Sequence, residues 1–175
     1  MKKIIYPALM AVAIASSAFN VATSIDSWKV KEDQYSVKFS GTKVEGIFKG
    51  LKSEITFDAT NLNVSKFTAS IDATTVNTGN GMRNKHARQG LGAEMYPEIS
   101  FVSNSIIKSE SGFVSKGKLS INGVTKDINL PFTFTKTQDG GVFAGNFSVV
   151  PTDFKIDKKG TPELITIELN VPVTK

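Results

Sequence analysis

The chain has 175 residues, no cysteine, a single histidine and a formal net charge of +5. The lack of cysteine rules out disulfides, thiol nucleophiles and thiolate-bound clusters, and one histidine rules out the usual multi-histidine metal centres. The basic excess is too small to argue for a nucleic-acid partner, and none is expected.

Met1, Lys2 and Lys3 put positive charge ahead of an apolar run over residues 4–15, and Ser16, Ser17 and Ala18 follow. Basic, apolar, then small is the layout of a secretory signal peptide. The run falls short of the ~20 residues that cross a bilayer as a helix. Cleavage after Ala18 and cleavage after Ser24 fit equally, so residues 1–24 are assigned to the leader and 25–175 to one domain. The leader takes two lysines with it, leaving 19 basic residues against 16 acidic ones, a net charge of +3. No later apolar stretch is long enough to span a membrane, and no cysteine is available for lipidation. A periplasmic or secreted protein without stable membrane insertion is expected.

From residue 25 onward the pattern is that of strands. Val37 and Phe39 alternate with polar neighbours, as do Ile55 and Phe57, then Phe67, Ala69 and Ile71. Residues 74–92 interrupt the pattern, being polar and glycine-bearing, with two helical turns expected over 82–89; a connection of that length marks a crossover or lid. Ile99 and Phe101 open another strand. Residues 113–121 place Phe113, Ser115, Gly117, Leu119 and Ile121 on one face, and residues 128–134 do the same with Ile128, Leu130, Phe132 and Phe134. Period-two alternation gives one dry and one wet face. Asn122-Gly123 between the two runs predicts a tight hairpin turn. Phe143, Gly145, Phe147 and Val149 line the next strand, and residues 165–173 alternate throughout.

Eight to ten antiparallel strands of this kind close as a barrel or stack as a sandwich. Phenylalanine mixed with Ser115, Gly117 and Gly145 on the inward stripes favours an interior that is not packed solid, and hence a barrel of the size that encloses one ligand. The predicted fold is all-β: an extended antiparallel barrel with a short helix in the 74–92 connection.

Signatures of catalysis are weak. Gly79-Asn80-Gly81 does not open a strand–helix unit, Gly46 to Ser53 lacks phosphate-loop spacing, and Asp153 with Asp157 lacks a calcium-loop ligand ladder. There is no Gly-x-Ser-x-Gly elbow. No catalytic residue, metal or cofactor is expected. Arg83, His86 and Arg88 form a basic cluster suited to a polar head at a barrel mouth.

The ordered set Thr78-Gly79-Asn80, Met82-Arg83-Asn84-Lys85-His86-Ala87-Arg88, Tyr96-Pro97-Glu98-Ile99-Ser100-Phe101 and Gly117 through Pro131 resembles the YceI family. Trp28-Lys29-Val30, Val37-Lys38-Phe39 and Gly46-Ile47-Phe48-Lys49-Gly50 fit as well. The resemblance implies a lipocalin-like barrel holding a polyisoprenoid, an isoprenoid quinone or a fatty-acid derivative, bound or carried without chemistry. Phe39, Phe57, Ile71, Phe101, Leu119, Phe132, Phe134 and Phe147 are the expected tunnel wall. Arg83, His86 and Arg88 are the expected mouth, with residues 74–92 and 89–95 gating access. Residues 89–95, Gln-Gly-Leu-Gly-Ala-Glu-Met, depart from the acidic, aromatic-rich stretch that relatives carry there, which alters the mouth. A periplasmic docking partner of a membrane redox protein and a lipid-ester hydrolase are the alternatives, and a homodimer is compatible with the sequence. Trp28 is expected to plug one barrel end.

Overall fold

Alternation of apolar and polar side chains becomes, in the computed structural model, ten antiparallel strands; residues 27–175 are described. The expected signal peptide and its cleavage sites lie outside the described residues. The strands are β1 (Ser27–Val30), β2 (Ser36–Gly41), β3 (Val44–Phe48), β4 (Lys52–Thr56), β5 (Lys66–Asp72), β6 (Glu98–Ser109), β7 (Gly112–Ile121), β8 (Val124–Thr137), β9 (Gly140–Val149) and β10 (Ile165–Thr174). One α-helix, α1 (Gly81–Gly90), lies between β5 and β6.

Eight strands form a closed ring in the order β1-β4-β5-β6-β7-β8-β9-β10, with β10 returning to β1 through Lys29↔Thr174 and Val30↔Val173. Strand β10 divides its free edge. Its last residues close the ring on β1, whereas Thr166 to Asn170 pair with β2, which carries β3 beyond it. The β2–β3 hairpin thus extends the wall at one end. Closure leaves few unpaired strand edges, and every inward face can be apolar.

Asn122 and Gly123 take φ values of 50° and 70°, both left-handed, as a two-residue hairpin turn demands. Strand β6 departs from simple alternation. A bulge between Ser103 and Ser105 flips its phase, so Phe101 and Ser103 face inward before it and Ile106 after it. The Ser103 hydroxyl accepts the Phe67 amide at 2.8 Å, satisfying a backbone donor where the β5–β6 ladder ends.

Helix α1 buries no residue, so packing alone does not position it. Its Asn80 cap accepts from the Arg83 amide at 3.1 Å, and Asn84 Oδ1 accepts from both the amide and the hydroxyl of Thr78 at 2.7 Å. Asn77 bridges to Ile47 of β3, tying the start of the connection to the hairpin.

Aromatic rings fill the end of the barrel where β1 meets β10. Phe57 lies at the centre, 1% exposed, with Phe113 and Phe134 at 5.1 Å, Phe143 at 5.3 Å and Phe132 at 5.6 Å between ring centroids. Trp28 stands edge-on to Phe134 at 5.1 Å, so it plugs this end as expected. Toward the opposite end a second apolar group gathers Val37, Phe39, Phe48, Ile71 and Val76, with Ala87 and Leu91 from the helical segment against it.

Candidate functional site

Between the aromatic plug and the helical end, the inward stripes of the barrel enclose a cavity of about 790 Å³. That volume lies within the ~300–1,000 Å³ typical of small-molecule sites. Its wall is mostly aliphatic and aromatic. Along β10 the lining runs from Ile165 through Ile167 and Leu169 to Val171, about 20 Å of strand at ~3.3 Å per residue. Rows of such inward residues, two apart on neighbouring strands, make a long apolar tunnel rather than a shallow cleft. The tunnel meets solvent at the helical end, where the exposed Lys43, His86, Lys158 and Lys159 are part of its lining.

Of the expected wall residues, Phe39, Ile71, Phe101, Leu119, Phe132 and Phe147 line the cavity. Phe57 and Phe134 do not. Both belong to the plug, where their rings contact each other and Phe143. The reason is position along the strand: alternation fixes the inward face, but depth decides whether an inward side chain meets the void or the plug. Phe67 and Phe143 sit at that boundary, in the aromatic cluster and in the cavity wall together.

At the mouth, Arg83 and His86 line the cavity with Ala87 and Gly90. These positions share one helical face by their spacing of three, four and seven. Arg88, five residues beyond Arg83, is turned about 140° around the helix and does not line the cavity. Gln89, Gly90 and Leu91 of the 89–95 stretch also line it, and Ala93 is buried, whereas Met95 is 75% exposed.

Several lining residues carried no signal in the sequence. Phe154 and Ile156 come from a 3-10 turn (Pro151–Phe154) and its exit, where no alternation exists to read. Asn122 holds this segment by donating to the Phe154 carbonyl at 3.1 Å. Lys158 and Lys159 lie in the β9–β10 connection and Lys43 in the β2–β3 turn, outside the alternating stripes. Of Ser115, Gly117 and Gly145, only Gly145 lines the void. The space over Gly117 is taken by the Phe101 ring, and Ser115 is fully buried.

The base of the connection is fastened by Asp72. Its carboxylate accepts from the Thr74 hydroxyl at 2.6 Å and the Thr74 amide at 2.8 Å, which holds its pKa below the ordinary carboxylate value. Thr75 then accepts the Lys49 amide at 2.9 Å, linking this turn to the end of β3. Among the described residues, no group of three or more His, Cys, Asp or Glu side chains is placed to hold a metal ion. Nor is any described helix long and apolar enough to cross a membrane.

A family profile described as "YceI-like domain" matches residues 28–174. A protein of Vibrio campbellii called "UPF0312 protein" is 27% identical over 188 aligned positions, covering 100% of both chains. In solved structures the same fold recurs. BcnA of Burkholderia cenocepacia superposes with a TM-score of 0.77 at 22% identity, covering 84% of this chain and 100% of that one. A polyisoprenoid binding domain from Saccharophagus degradans, implicated in plant cell wall breakdown, superposes with a TM-score of 0.65 at 12% identity, covering 84% and 97%.

Proposed function

The chain belongs to the YceI family, and from that premise we propose that it binds a long apolar lipid in its barrel interior, to sequester or transport it. The observation that carries this reading is the continuous apolar cavity between the Phe57 plug and the α1 mouth. The likeness in fold to a polyisoprenoid binding domain supports it. Candidate ligands are polyisoprenoids, isoprenoid quinones and fatty-acid derivatives.

The mechanism is passive. A tail leaving water for the tunnel gains about 0.8 kcal/mol per buried methylene. A long chain therefore has transfer energy to spare, and affinity is limited by ordering the chain and admitting it past the mouth. No bond is made or broken, so the role needs no catalytic residue. The basic and apolar layout of residues 1–24 supports export, and with it a carrier that works in the periplasm or outside the cell.

Native mass spectrometry and organic extraction of the purified protein test the reading. A bound hydrophobic molecule is the expected result. Protein that is consistently empty and takes up no added lipid would remove the basis for it.

A further inference from the structure

The charges on the cavity lining are all of one sign. Lys43, Arg83, Lys158 and Lys159 are its basic side chains, with His86 beside them, and no Asp or Glu is part of the lining. Overall charge does not account for this, because residues 25–175 carry 19 basic and 16 acidic side chains. The four cations come from three separate segments. Lys43 belongs to the β2–β3 turn, Arg83 to α1, and Lys158 with Lys159 to the β9–β10 connection. The fold therefore gathers them at the helical end, where the apolar tunnel meets water.

Two further observations indicate that these cations are available. The ion pairs among the described residues are Lys38–Glu168 and Lys118–Asp127, and neither involves the mouth. Lys43 also holds a φ of 64° in a two-residue turn, a left-handed conformation that Gly takes without a Cβ clash. Like charges at a cleft with low-dielectric walls repel one another and focus an attractive field on an incoming anion.

We propose that the ligand is a single-tailed amphiphile with an anionic head, a carboxylate or a phosphate ester, whose tail enters the tunnel while Lys43, Arg83, Lys158 and Lys159 hold the head at the mouth. This rests on the reading of the tunnel as a lipid site and specifies the head that reading leaves open. Arg83 presents a planar fork to two oxygens, and the lysines act as mobile point charges on long stems. A neutral lipid of equal length would fill the tunnel but leave the cations unpaired.

The test measures displacement of a neutral pyrene-labelled alcohol from the full chain by hexadecanoate, hexadecyl phosphate and hexadecanol. Inorganic phosphate serves as the competitor without a tail. The two anions are expected to bind about tenfold tighter than the alcohol, the combined size of several exposed charge pairs. That ratio should fall toward one at high salt, where exposed charges are screened, and in the combined Lys43→Gln, Arg83→Gln, Lys158→Gln, Lys159→Gln variant. Equal affinity of all three amphiphiles for the unaltered protein would overturn the anionic head while leaving the lipid tunnel standing. Inorganic phosphate competing as well as hexadecyl phosphate would overturn it in favour of a free-anion site. Binding of none of the amphiphiles would overturn the tunnel reading and the proposal together.

Discussion

Trp28 donates its indole N–H to the Phe57 carbonyl at 3.0 Å, joining residues 29 apart in the chain. Phe57 has just left β4 and has no ladder partner there, so the indole satisfies a carbonyl that the aromatic plug would otherwise bury unpaired. The bond and the rings around it seal the end of the barrel where β1 closes on β10. Trp28→Phe keeps most of the apolar volume but orphans the carbonyl, at an expected cost of about 1–3 kcal/mol. Phe57→Ala is expected to cost about 3–5 kcal/mol as a cavity-forming change. Urea denaturation reads both. Because Trp28 does not line the tunnel, Trp28→Phe should lower the unfolding midpoint with far less effect on lipid affinity. A loss of affinity at full stability would place the indole in the ligand site.

The β7–β8 turn separates strain from tethering. Gly123 holds φ at 70°, and a Cβ there would come within 2.7 Å of the Tyr96 ring. Gly123→Ala should therefore destabilise the hairpin by about 1–2 kcal/mol from the left-handed backbone alone. Asn122→Gly suits the turn but removes the donor to the Phe154 carbonyl. Its expected effect is faster amide exchange over residues 151–162, with a global cost of only about 0.5–1.5 kcal/mol. Unchanged exchange there would mean that the mouth loop is held by its own packing.

The inward faces over residues 113–121, 128–134, 143–149 and 165–173 were legible because each of these runs alternates. Asn122-Gly123 likewise announced its turn, since few residue pairs tolerate two left-handed conformations. Strand β6 was readable only at Ile99 and Phe101, because the bulge after Ser103 shifts the phase and Ile106 and Ile107 then sit side by side in the sequence. Phe57 and Phe134 were misplaced for a different reason. Alternation reports which face a side chain takes, whereas plug or wall depends on strand stagger around the ring, which no local pattern encodes. Arg83 and His86 were found with Arg88 because they are close in sequence; helical phase separates Arg88 from them. Lys43, Lys158 and Lys159 were missed because they reach the mouth only through tertiary closure.

Asp72 predicts a response to acid. Hydrogen bonds from the Thr74 hydroxyl and amide lower its folded pKa from the usual 3.8, and Asp58 is lowered in the same way by Thr60. A carboxylate with a depressed folded pKa contributes stability that is complete above its unfolded pKa and is lost as pH falls through the folded one. Urea midpoints should therefore drop as the pH falls below the usual carboxylate value of 3.8, and drop less in Asp58→Asn, Asp72→Asn protein. Thr74→Val, which removes the largest cause at Asp72, should lower stability at about pH 5 and flatten the acid response. An equally steep response in the double variant would assign the acid sensitivity to other carboxylates.

Ala69 gives direct access to the tunnel. It lines the cavity on β5 and pairs across the sheet with Phe101, which faces inward. Paired residues share a face, so a larger side chain at position 69 grows into the void rather than toward solvent. Overpacking costs stability where a core is full, but here the added ring meets open space, so Ala69→Phe should fold with undiminished or slightly raised stability. Its lipid affinity should fall by about tenfold or more, equivalent to ~1.4 kcal/mol, and the longest tail retained through organic extraction should shorten. Val102→Phe, on the neighbouring strand but on the outer face at 41% exposure, serves as the matched control and should bind as the unaltered protein does. Full-length tails retained by Ala69→Phe at unchanged affinity would mean that the chain threads elsewhere, and the role assigned to this stretch of wall would have to be withdrawn.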